Sequence, residues 1–494
     1  MSFVIGVDVG SQSVKGVLLD PTGQVVATAG CPCAMSHPRS GWAEQDPLSW
    51  ERGIADVVGQ LLAVGSARPP EISHLALACQ VDGVVPVDGR LDPLREAIIW
   101  LDRRAVDQAA ALAAGIGATE AFRITGLNLD ASHTAPKIMW IRDSEPAVFR
   151  ATRSMPPVAA FLVGRLTGVL AQDPANASSS LLYDVAAGDW SDELLKAADL
   201  DPALLPPVRP ATDVVGTLIP AAARRLGLAT TCRVVVGTGD DHGASIGAGA
   251  VRPGVIADIT GTAEPVTVTS EQLVLDPDQL VETHAHGVPD LLLVENPGFV
   301  SGGSTLWLAH SVLGVDQSSV FHLAAQAPAG SDGVGFLPTL SGSMAPRWNS
   351  DMRGAFTGLS MNHNGRHLAR AVLEGCAFAL RDIVERLHDL GLADDGAEIR
   401  VVGGGARSPL WLRIKADVLG RPVRPVLAEE ATATGAAILA GLAAGTFDDI
   451  DSATERAVEL APESIRPDPA VRDRYDTAYA RYRAMFDAVE QGGA

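Results

Sequence analysis

The sequence of 494 residues has few cysteines and few basic residues. Its five cysteines form no Cys-x-x-Cys pair and no spacing typical of zinc ligands, so buried free thiols are the simplest interpretation. Free thiols fit a reducing compartment, and we therefore expect a cytoplasmic protein. With 38 Lys and Arg against 59 Asp and Glu, the formal charge is −21. This charge argues against general binding of nucleic acid or of anionic membranes.

Long apolar runs are missing as well. The longest nearly apolar stretch, residues 433–445, is too short and too rich in glycine to span a bilayer. The first ten residues carry no basic leader, and Asp8 interrupts their apolar run, so we expect no signal peptide. Hydrophobic residues nevertheless make up 47% of the chain, which is enough apolar material for two or more domains with full cores.

A turn of small residues joins two apolar strands near the N-terminus. Residues 3–9 predict a buried strand that contains Asp8, and a second strand follows the turn at Gly10. No helix follows directly, so neither a Walker loop nor a dinucleotide-binding fingerprint fits. The turn offers backbone N–H groups, two hydroxyls and an ammonium group, which can all hold phosphate oxygens. The side chains concerned are Ser11, Ser13 and Lys15.

A similar pattern recurs about half a chain length downstream. There a strand that contains Asp258 enters a turn with Gly261 and Thr262, and another strand leaves it. Each copy alone is also compatible with a plain β-hairpin. Two copies at this separation favour a duplicated fold in which each half contributes one phosphate-binding hairpin.

Two further turns lie where a predicted strand meets a predicted helix. Residues 403–406 form a glycine cluster that precedes a helical pattern, where a ligand can lie against the backbone; a tight strand–helix turn is the alternative.

Asp240 and Asp241 follow another buried strand, and ligands of open α/β sheets bind at the carboxyl ends of strands. Either aspartate could cap the helix. Alternatively, one is a general base for a hydroxyl nucleophile and the other binds a substrate hydroxyl.

Together these motifs resemble the FGGY family of carbohydrate kinases, in the actin-like ATPase superfamily, and most of all its xylulokinase branch. The resemblance covers nearly the whole chain. It includes further ordered segments at residues 42–47, 97–104, 134–142, 336–342, 354–359, 371–375 and 403–408.

The resemblance implies an α/β fold with two RNase H-like domains and a catalytic cleft between them. We expect an N-terminal domain at residues 1–243 that binds the sugar and carries the first phosphate hairpin. A nucleotide-binding domain at 244–465 and a helical tail at 466–494 follow. The implied reaction is phosphoryl transfer from ATP, with Mg²⁺, to a hydroxyl of a small sugar or polyol. Homodimers are common in such a family.

The resemblance also implies roles for individual residues. The family's general base matches Asp240, and the acidic residue that contacts magnesium through water matches Asp8. The residues expected to bind the nucleotide are Gly10, Ser11, Gln12, Ser13, Lys15, Gly261, Thr262, Gly303, Gly404, Gly405, Ala406 and Ser408. The residues expected to bind the substrate are Gln80, Val81, Asp82, Trp100, Asp102 and Asp241.

The chain departs from the xylulokinase pattern in the sugar site. Such enzymes typically carry Gln-Met-His-Gly, whereas this chain has Gln-Val-Asp-Gly at residues 80–83, and Asp241 replaces an Asn or Gln. Two carboxylates there favour a neutral, hydroxyl-rich acceptor over a sugar acid. D-xylulose, giving the 5-phosphate, is the leading expectation. The alternative acceptors are another ketose such as ribulose, or a polyol such as erythritol or xylitol. The alternative function is a non-catalytic actin-like ATP sensor.

Other polar residues have open interpretations. His284 and His286, with Glu282, are a possible metal pair, although packing or surface exposure is favoured. Trp100 and residues 102–104 either line the sugar cleft or form a salt-bridged turn. Aromatic residues at helical spacing in the C-terminal segment predict a packing stripe. They are Tyr475, Tyr479, Tyr482 and Phe486.

Overall fold

The structure is a computed structural model that describes residues 2–492. In its N-terminal half the strands are β1 (Phe3–Val9), β2 (Ser13–Leu19), β3 (Val25–Pro32), β4 (Glu44–Gln45), β5 (Ile72–Cys79), β6 (Ala97–Ile98), β7 (Tyr183–Asp184), β8 (Asp189–Trp190), β9 (Val214–Thr217), β10 (Arg233–Val235) and β11 (Thr238–Gly239). The helices are α1 (Pro47–Gly65), α2 (Val106–Ile116), α3 (Ala118–Thr125), α4 (Thr134–Ser144), α5 (Pro146–Ala151), α6 (Val158–Thr167), α7 (Pro174–Ser178), α8 (Asp192–Ala198), α9 (Pro220–Leu226) and α10 (Asp240–Gly247).

In the C-terminal half the strands are β12 (Ile256–Thr260), β13 (Val266–Ser270), β14 (Glu282–Ala285), β15 (Leu292–Asn296), β16 (Gly335–Leu337), β17 (Ala355–Thr357), β18 (Ile399–Gly403) and β19 (Val423–Pro425). The helices are α11 (Gly302–Trp307), α12 (Gln317–Ala324), α13 (Gly365–Asp389), α14 (Pro409–Leu419), α15 (Ala431–Ala444), α16 (Ile450–Ala457) and α17 (Arg472–Gly492). A π-helical turn, Leu308–Leu313, continues α11.

The two halves repeat one sheet plan. The N-terminal sheet has the order β3-β2-β1-β5-β10-β9, with β11 beside β5, and the C-terminal sheet has the order β14-β15-β13-β12-β18-β19. In each, a hairpin of antiparallel strands leads into parallel strands: β1 is antiparallel to β2 and parallel to β5, and β12 is antiparallel to β13 and parallel to β18. The predicted duplication is therefore present, with Asp8 and Asp258 in corresponding strands.

Local sequence explains the ends of several elements. Asp46 caps α1, because its carboxylate accepts a hydrogen bond of 2.9 Å from the N–H of Leu48, and Pro47 occupies the first turn. The central strand β5 is buried along nearly its whole length, as expected for a strand with parallel neighbours and covered faces. The predicted aromatic stripe lies on α17 and is buried in the core of the C-terminal half.

Helix α15 belongs to the C-terminal half of the chain but packs on the N-terminal sheet. Its residues are mostly small or apolar, and all but Thr432 and residues 442–444 are buried, as expected for a helix with little exposed surface. It lies so close to β1 that a Cβ atom at Gly6 would be 2.2 Å from the carbonyl oxygen of Ala433. A separate apolar cluster forms where the two halves join: Ala248, Ala250, Ala257, Val402, Val426 and Ala431, with Val458 and Leu460 packed against it.

The predicted domain boundaries, 243/244 and 465/466, stay predictions, and their outer ends at Met1 and at residues 493–494 lie outside the described residues. Cys79, Cys232 and Cys376 are buried free thiols, whereas the free thiols of Cys31 and Cys33 are partly exposed. Among the described helices, none combines the length and the apolar character that crossing a bilayer requires.

Candidate active site

The first predicted phosphate hairpin lies between β1 and β2. The N–H of Gly10 donates to the carbonyl oxygen of Ser13 at 3.1 Å, and Gln12 is exposed at the tip. Asp8 and Lys15 face each other across the hairpin register. The ammonium of Lys15 lies 2.8 Å from the carboxylate of Glu430, directly before α15. Lys15, which is predicted to bind phosphate, is therefore paired with an acidic side chain in this structure.

Three carboxylates approach one another beside this hairpin. Asp240 and Asp241 occupy the first turn of α10, and its N-cap residue is Gly239, so neither aspartate side chain caps the helix. Burial, partly offset by backbone N–H groups of residues 81, 240 and 241, raises the pKa of Asp240 to about 6. Burial and the charge of Asp240 raise the pKa values of Asp241 and Asp8 well above their usual range. Asp240, a carboxylate with a pKa of about 6 at the carboxyl end of a strand, has the character of a general base.

The loop after β5 brings residues 80–82 to the same place. The side-chain amide of Gln80 donates to Gln45 Oε1 at 2.7 Å, which links it to the 42–47 segment. Asp82 has a backbone φ of 61°, a conformation that is uncommon outside glycine and is concentrated at functional sites. Its carboxylate lies 3.2 Å from Nδ1 of His133. Although burial opposes protonation, the charge of Asp82 raises the pKa of His133 to about 9, so the two form an ion pair at neutral pH.

Lys137 fixes the position of this ion pair. Its fully buried ammonium donates to the backbone carbonyl of Asp82 at 2.7 Å and to that of Ser132, next to His133. Burial lowers the pKa of Lys137 to about 8. Lys137 therefore ties together the two loops that carry Asp82 and His133, and the structure gives it a positioning role.

Asp102 and Trp100 differ in how they are placed. Asp102 is fully buried, and its carboxylate accepts hydrogen bonds from the N–H of Ala43 and from Arg104. The guanidinium of Arg104 lies 3.6 Å from the ring centroid of Trp42. This is the salt-bridged turn that the sequence left open for Asp102. Trp100 keeps 38% of its surface exposed.

The second hairpin and the glycine cluster meet in the C-terminal half. The N–H groups of Gly302 and Gly303 each donate at 3.0 Å, to the carbonyl oxygens of Gly261 and Thr262. The glycine cluster packs on the strand that leads into this hairpin, because a Cβ atom at Gly405 would lie 2.5 Å from the Thr260 methyl carbon. Residues 404–407 form a single 3₁₀ turn, which includes Ala406. The Ser408 hydroxyl accepts a hydrogen bond from the N–H of Trp411 and caps α14, so its structural role is in place whether or not it touches the nucleotide.

A buried lysine lies behind this hairpin, and no pattern in the sequence indicated it. The ammonium of Lys415, on α14, lies 2.6 Å from Asp258, 3.0 Å from Glu264 and 2.6 Å from the hydroxyl of Thr260. All of these groups are buried. Burial and the charge of Asp258 outweigh the effect of Lys415 and raise the pKa of Glu264 to about 8. Lys415 neutralises Asp258, the counterpart of Asp8, so the two corresponding aspartates have different surroundings.

His284 and His286 are buried against the N-terminal half rather than exposed. Their rings lie 5.7 Å and 6.1 Å from the ring of His242, although the sequence indicated no proximity. Burial lowers the pKa of each of His284 and His286 to about 4, so both rings are neutral at pH 7. Within residues 2–492, no group of three or more His, Cys, Asp or Glu side chains is arranged to hold a metal ion. Both histidines are packed in the interior, which is one of the two placements that the sequence favoured over a metal pair.

A duplicated α/β fold with a glycine–hydroxyl hairpin in each half, and a carboxylate at the strand ends between them, is the architecture of actin-like sugar kinases. Residues 3–247 match the family model for the N-terminal domain of the FGGY family of carbohydrate kinases, and residues 257–444 match the model for its C-terminal domain. The chain therefore belongs to the FGGY family of carbohydrate kinases. The predicted fold class and the predicted resemblance are confirmed.

Relatives along the whole chain agree with this assignment. A xylulose kinase of Escherichia coli (strain K12) is 33% identical over 492 residues, which cover 98% of this chain and 99% of the relative. A glycerol kinase of Leptothrix cholodnii is 32% identical over 468 residues, which cover 91% and 92%. The crystal structure of xylulose kinase from Rhodospirillum rubrum superimposes with a TM-score of 0.89 at 32% identity and covers 99% of both chains. The protein is thus a carbohydrate kinase, and kinases of this family use ATP as substrate.

Proposed function

We propose that this kinase phosphorylates a neutral ketopentose, with D-xylulose giving the 5-phosphate as the leading candidate and Asp240 as the general base. The observation that carries the proposal is the placement of Asp240: it is partly buried at the start of α10, within electrostatic range of Asp8 beside the first hairpin and of Asp82 in the loop after β5. Similarity to xylulose kinases over the whole chain supports the choice of acceptor.

The chemistry follows from what phosphoryl transfer requires. Positioning and charge stabilisation contribute more than covalent chemistry, because the transferred group carries spread-out negative charge. Asp240 accepts the proton of the attacking hydroxyl. Backbone N–H groups of the two hairpins, with Lys15 once Glu430 releases it, stabilise the phosphate oxygens. Closure of the two halves over these groups would exclude water, which would otherwise compete as the nucleophile.

Asp8 fits the donor chemistry of a magnesium site. Mg²⁺ in kinases is held by one or two carboxylates, waters and substrate phosphates, so a dedicated cluster of protein ligands is not needed. We infer that Asp8 holds the ion through a water molecule. When bound, the ion supplies positive charge that neutralises the phosphate oxygens.

The charges of the pocket define the acceptor class. Asp82, Asp240 and Asp241 lie within electrostatic range of one another, and His133 is the cation paired with Asp82. These carboxylates accept hydrogen bonds from hydroxyls and repel a sugar acid. The same acidic pocket favours a polyol as the second candidate, and the relative named glycerol kinase is consistent with that class.

The test is a coupled assay of ADP release with Mg-ATP and a panel of ketopentoses, ketohexoses, pentitols, erythritol and glycerol. We expect D-xylulose to raise turnover far above the background ATPase rate. If a pentitol or erythritol gives the highest kcat/KM instead, the polyol candidate replaces it. A flat panel with ATP binding intact would contradict both and favour an ATP-binding sensor.

The rate is expected to fall in acid because Asp240 must be ionised to act as a base. Since burial raises its pKa to about 6, kcat/KM for the acceptor at saturating Mg-ATP should be level above about pH 7 and decline through pH 6. The measurement is a pH–rate profile from 5 to 9, with circular dichroism at each pH to verify folding. Asp82 also raises the pKa of Asp240, so Asp82→Asn should move the midpoint to lower pH. A wild-type rate that stays level to pH 5 would argue against Asp240 as the base.

The acceptor profile is expected to depend on Asp82. Asp82→His exchanges a carboxylate for the imidazole typical of xylulokinases and removes the ion pair with His133. We expect the ratio of kcat/KM between D-xylulose and xylitol to change by about tenfold, since one hydrogen bond to a charged group contributes about 1.5 kcal/mol. The KM for ATP should change less than twofold. An unchanged acceptor profile would remove Asp82 from the sugar site.

A further inference from the structure

One face of the C-terminal sheet is polar although it is buried. Successive side chains of a strand point to opposite faces, so Val266 and Val268 of β13 enter the core and Thr267 faces the other way. Thr267 is directly opposite Glu295 of β15, and Glu295 is directly opposite Glu282 of β14. All three polar residues are at most 5% exposed.

This polar face lies against the N-terminal half at the predicted acceptor site. The carboxylate of Glu282 accepts a hydrogen bond of 2.8 Å from the N–H of Asn128, and the N–H of Ala285 donates to the hydroxyl of Ser178 at 3.1 Å. The carbonyl oxygen of Ser179 accepts a hydrogen bond from His133, the partner of Asp82. Strand β14 is therefore held against the loops that carry the acceptor-site residues.

Among the described residues, the hydroxyl of Thr267 lacks a hydrogen-bond partner on this face, and so does the carboxyl group of Glu295 directly opposite it. Glu295 is 5% exposed, and no group in residues 2–492 forms a hydrogen bond or ion pair with its carboxyl group. Burial raises the pKa of Glu295 well above its usual range and favours the neutral form of its carboxyl group. The charges of Asp241, Glu282 and Asp240 raise this pKa further, so these carboxylates lie within electrostatic range of Glu295. Polar groups in such places are normally hydrogen-bonded, so a carboxyl group without a protein partner here is available to a ligand.

We propose that Glu295 is a specificity-determining residue of the acceptor pocket, where its carboxyl group hydrogen-bonds an acceptor hydroxyl other than the one that is phosphorylated. The inference rests on the proposed function and extends it, because it makes the C-terminal sheet a wall of the sugar site. A neutral carboxyl group both donates and accepts, which suits a hydroxyl or a ketose carbonyl. The acceptor class is a neutral molecule with several hydroxyls.

The experiment compares Glu295→Met, which keeps the volume and removes the hydrogen-bonding group, with Glu295→Gln, which keeps both a donor and an acceptor. Kinetics are measured with D-xylulose, xylitol, erythritol and glycerol, and thermal melts verify folding. Glu374→Gln is the matched control, since Glu374 is another buried glutamate of the C-terminal half, paired with Arg370. We expect Glu295→Met to raise the acceptor KM at least tenfold and to change the ranking of acceptors. The KM for ATP should stay within twofold, and Glu295→Gln should retain most of the wild-type selectivity.

The outcomes separate this inference from the function on which it rests. An acceptor KM and ranking in Glu295→Met equal to those of the wild type would overturn the inference and leave the kinase assignment intact. The same holds if Glu295→Met and Glu374→Gln weaken acceptor and ATP binding alike, since that is loss of stability. A wild-type enzyme that phosphorylates none of the panel would overturn the proposed acceptor class and the inference together.

Discussion

Replacing Asp240 with asparagine is expected to lower kcat for acceptor phosphorylation by about 10³-fold while ATP still binds. Asparagine has the same shape but cannot take up a proton, and general-base catalysis contributes roughly 10²–10⁴ in rate. The nucleotide contacts predicted at the two hairpins and the glycine cluster do not include Asp240. The measurements are the coupled assay at saturating acceptor and a titration of ATP binding by calorimetry.

Asp241→Asn is the matched control for Asp240→Asn. Both aspartates occupy the first turn of α10, and burial raises the pKa of each. If Asp241 binds an acceptor hydroxyl, its replacement should raise the acceptor KM more than it lowers kcat, since an amide can still hydrogen-bond. Near-normal turnover in Asp240→Asn would show that the base is another group. Equal losses of kcat in both variants would point to a shared structural effect.

Replacing Lys415 with methionine is expected to destabilise the C-terminal half by about 3–5 kcal/mol, because it leaves the buried charge of Asp258 without its partner. For a domain of this size, that corresponds to a fall in melting temperature on the order of 10 °C. The measurement is a thermal melt of the full chain followed by circular dichroism. The double variant Lys415→Met with Asp258→Asn removes both charges and should recover most of the loss.

Lys15→Met is the stability control for Lys415→Met. Lys15 also pairs with a carboxylate, Glu430, but its side chain is 40% exposed, and such pairs contribute about 0–1 kcal/mol. We expect it to melt within about 3 °C of the wild type, whatever happens to its activity. If Lys415→Met melted equally close to the wild type, the buried ion pair would not be stabilising the second hairpin.

The sequence predicted those parts of the fold and site that depend on neighbouring residues. The hairpins at Gly10 and Gly261, and the strand–turn–helix that places Asp240, each lie in one short segment with its own turn chemistry. The repetition of the hairpin also predicted the duplicated architecture, because two copies half a chain apart favour two similar sheets.

What the sequence did not predict depends on contacts between distant segments. Lys415 meets Asp258 across more than 150 residues, and a lone lysine in a helical pattern looks like a solvated residue. Glu295 stands in an apolar strand, and only the register with β13 and β14 shows which face it shares. His242 and His284 lie in different halves of the chain, so their contact depends on how one half docks on the other. The alternation of Val and Thr in residues 266–269 was the one available signal that this sheet has a polar face.

The small apolar cluster where the halves join has a mechanical consequence. The chain passes between the halves near residues 248–255, 426–430 and 458–460, and the cluster gathers residues from all three passages, including Ala248, Val426 and Val458. Because three covalent connections pass through one small cluster, we expect the two halves to rotate about it as a hinge more readily than they slide or separate. A small rotation at the alanines and valines of this cluster would then produce a much larger displacement in the parts of each half that lie farthest from it.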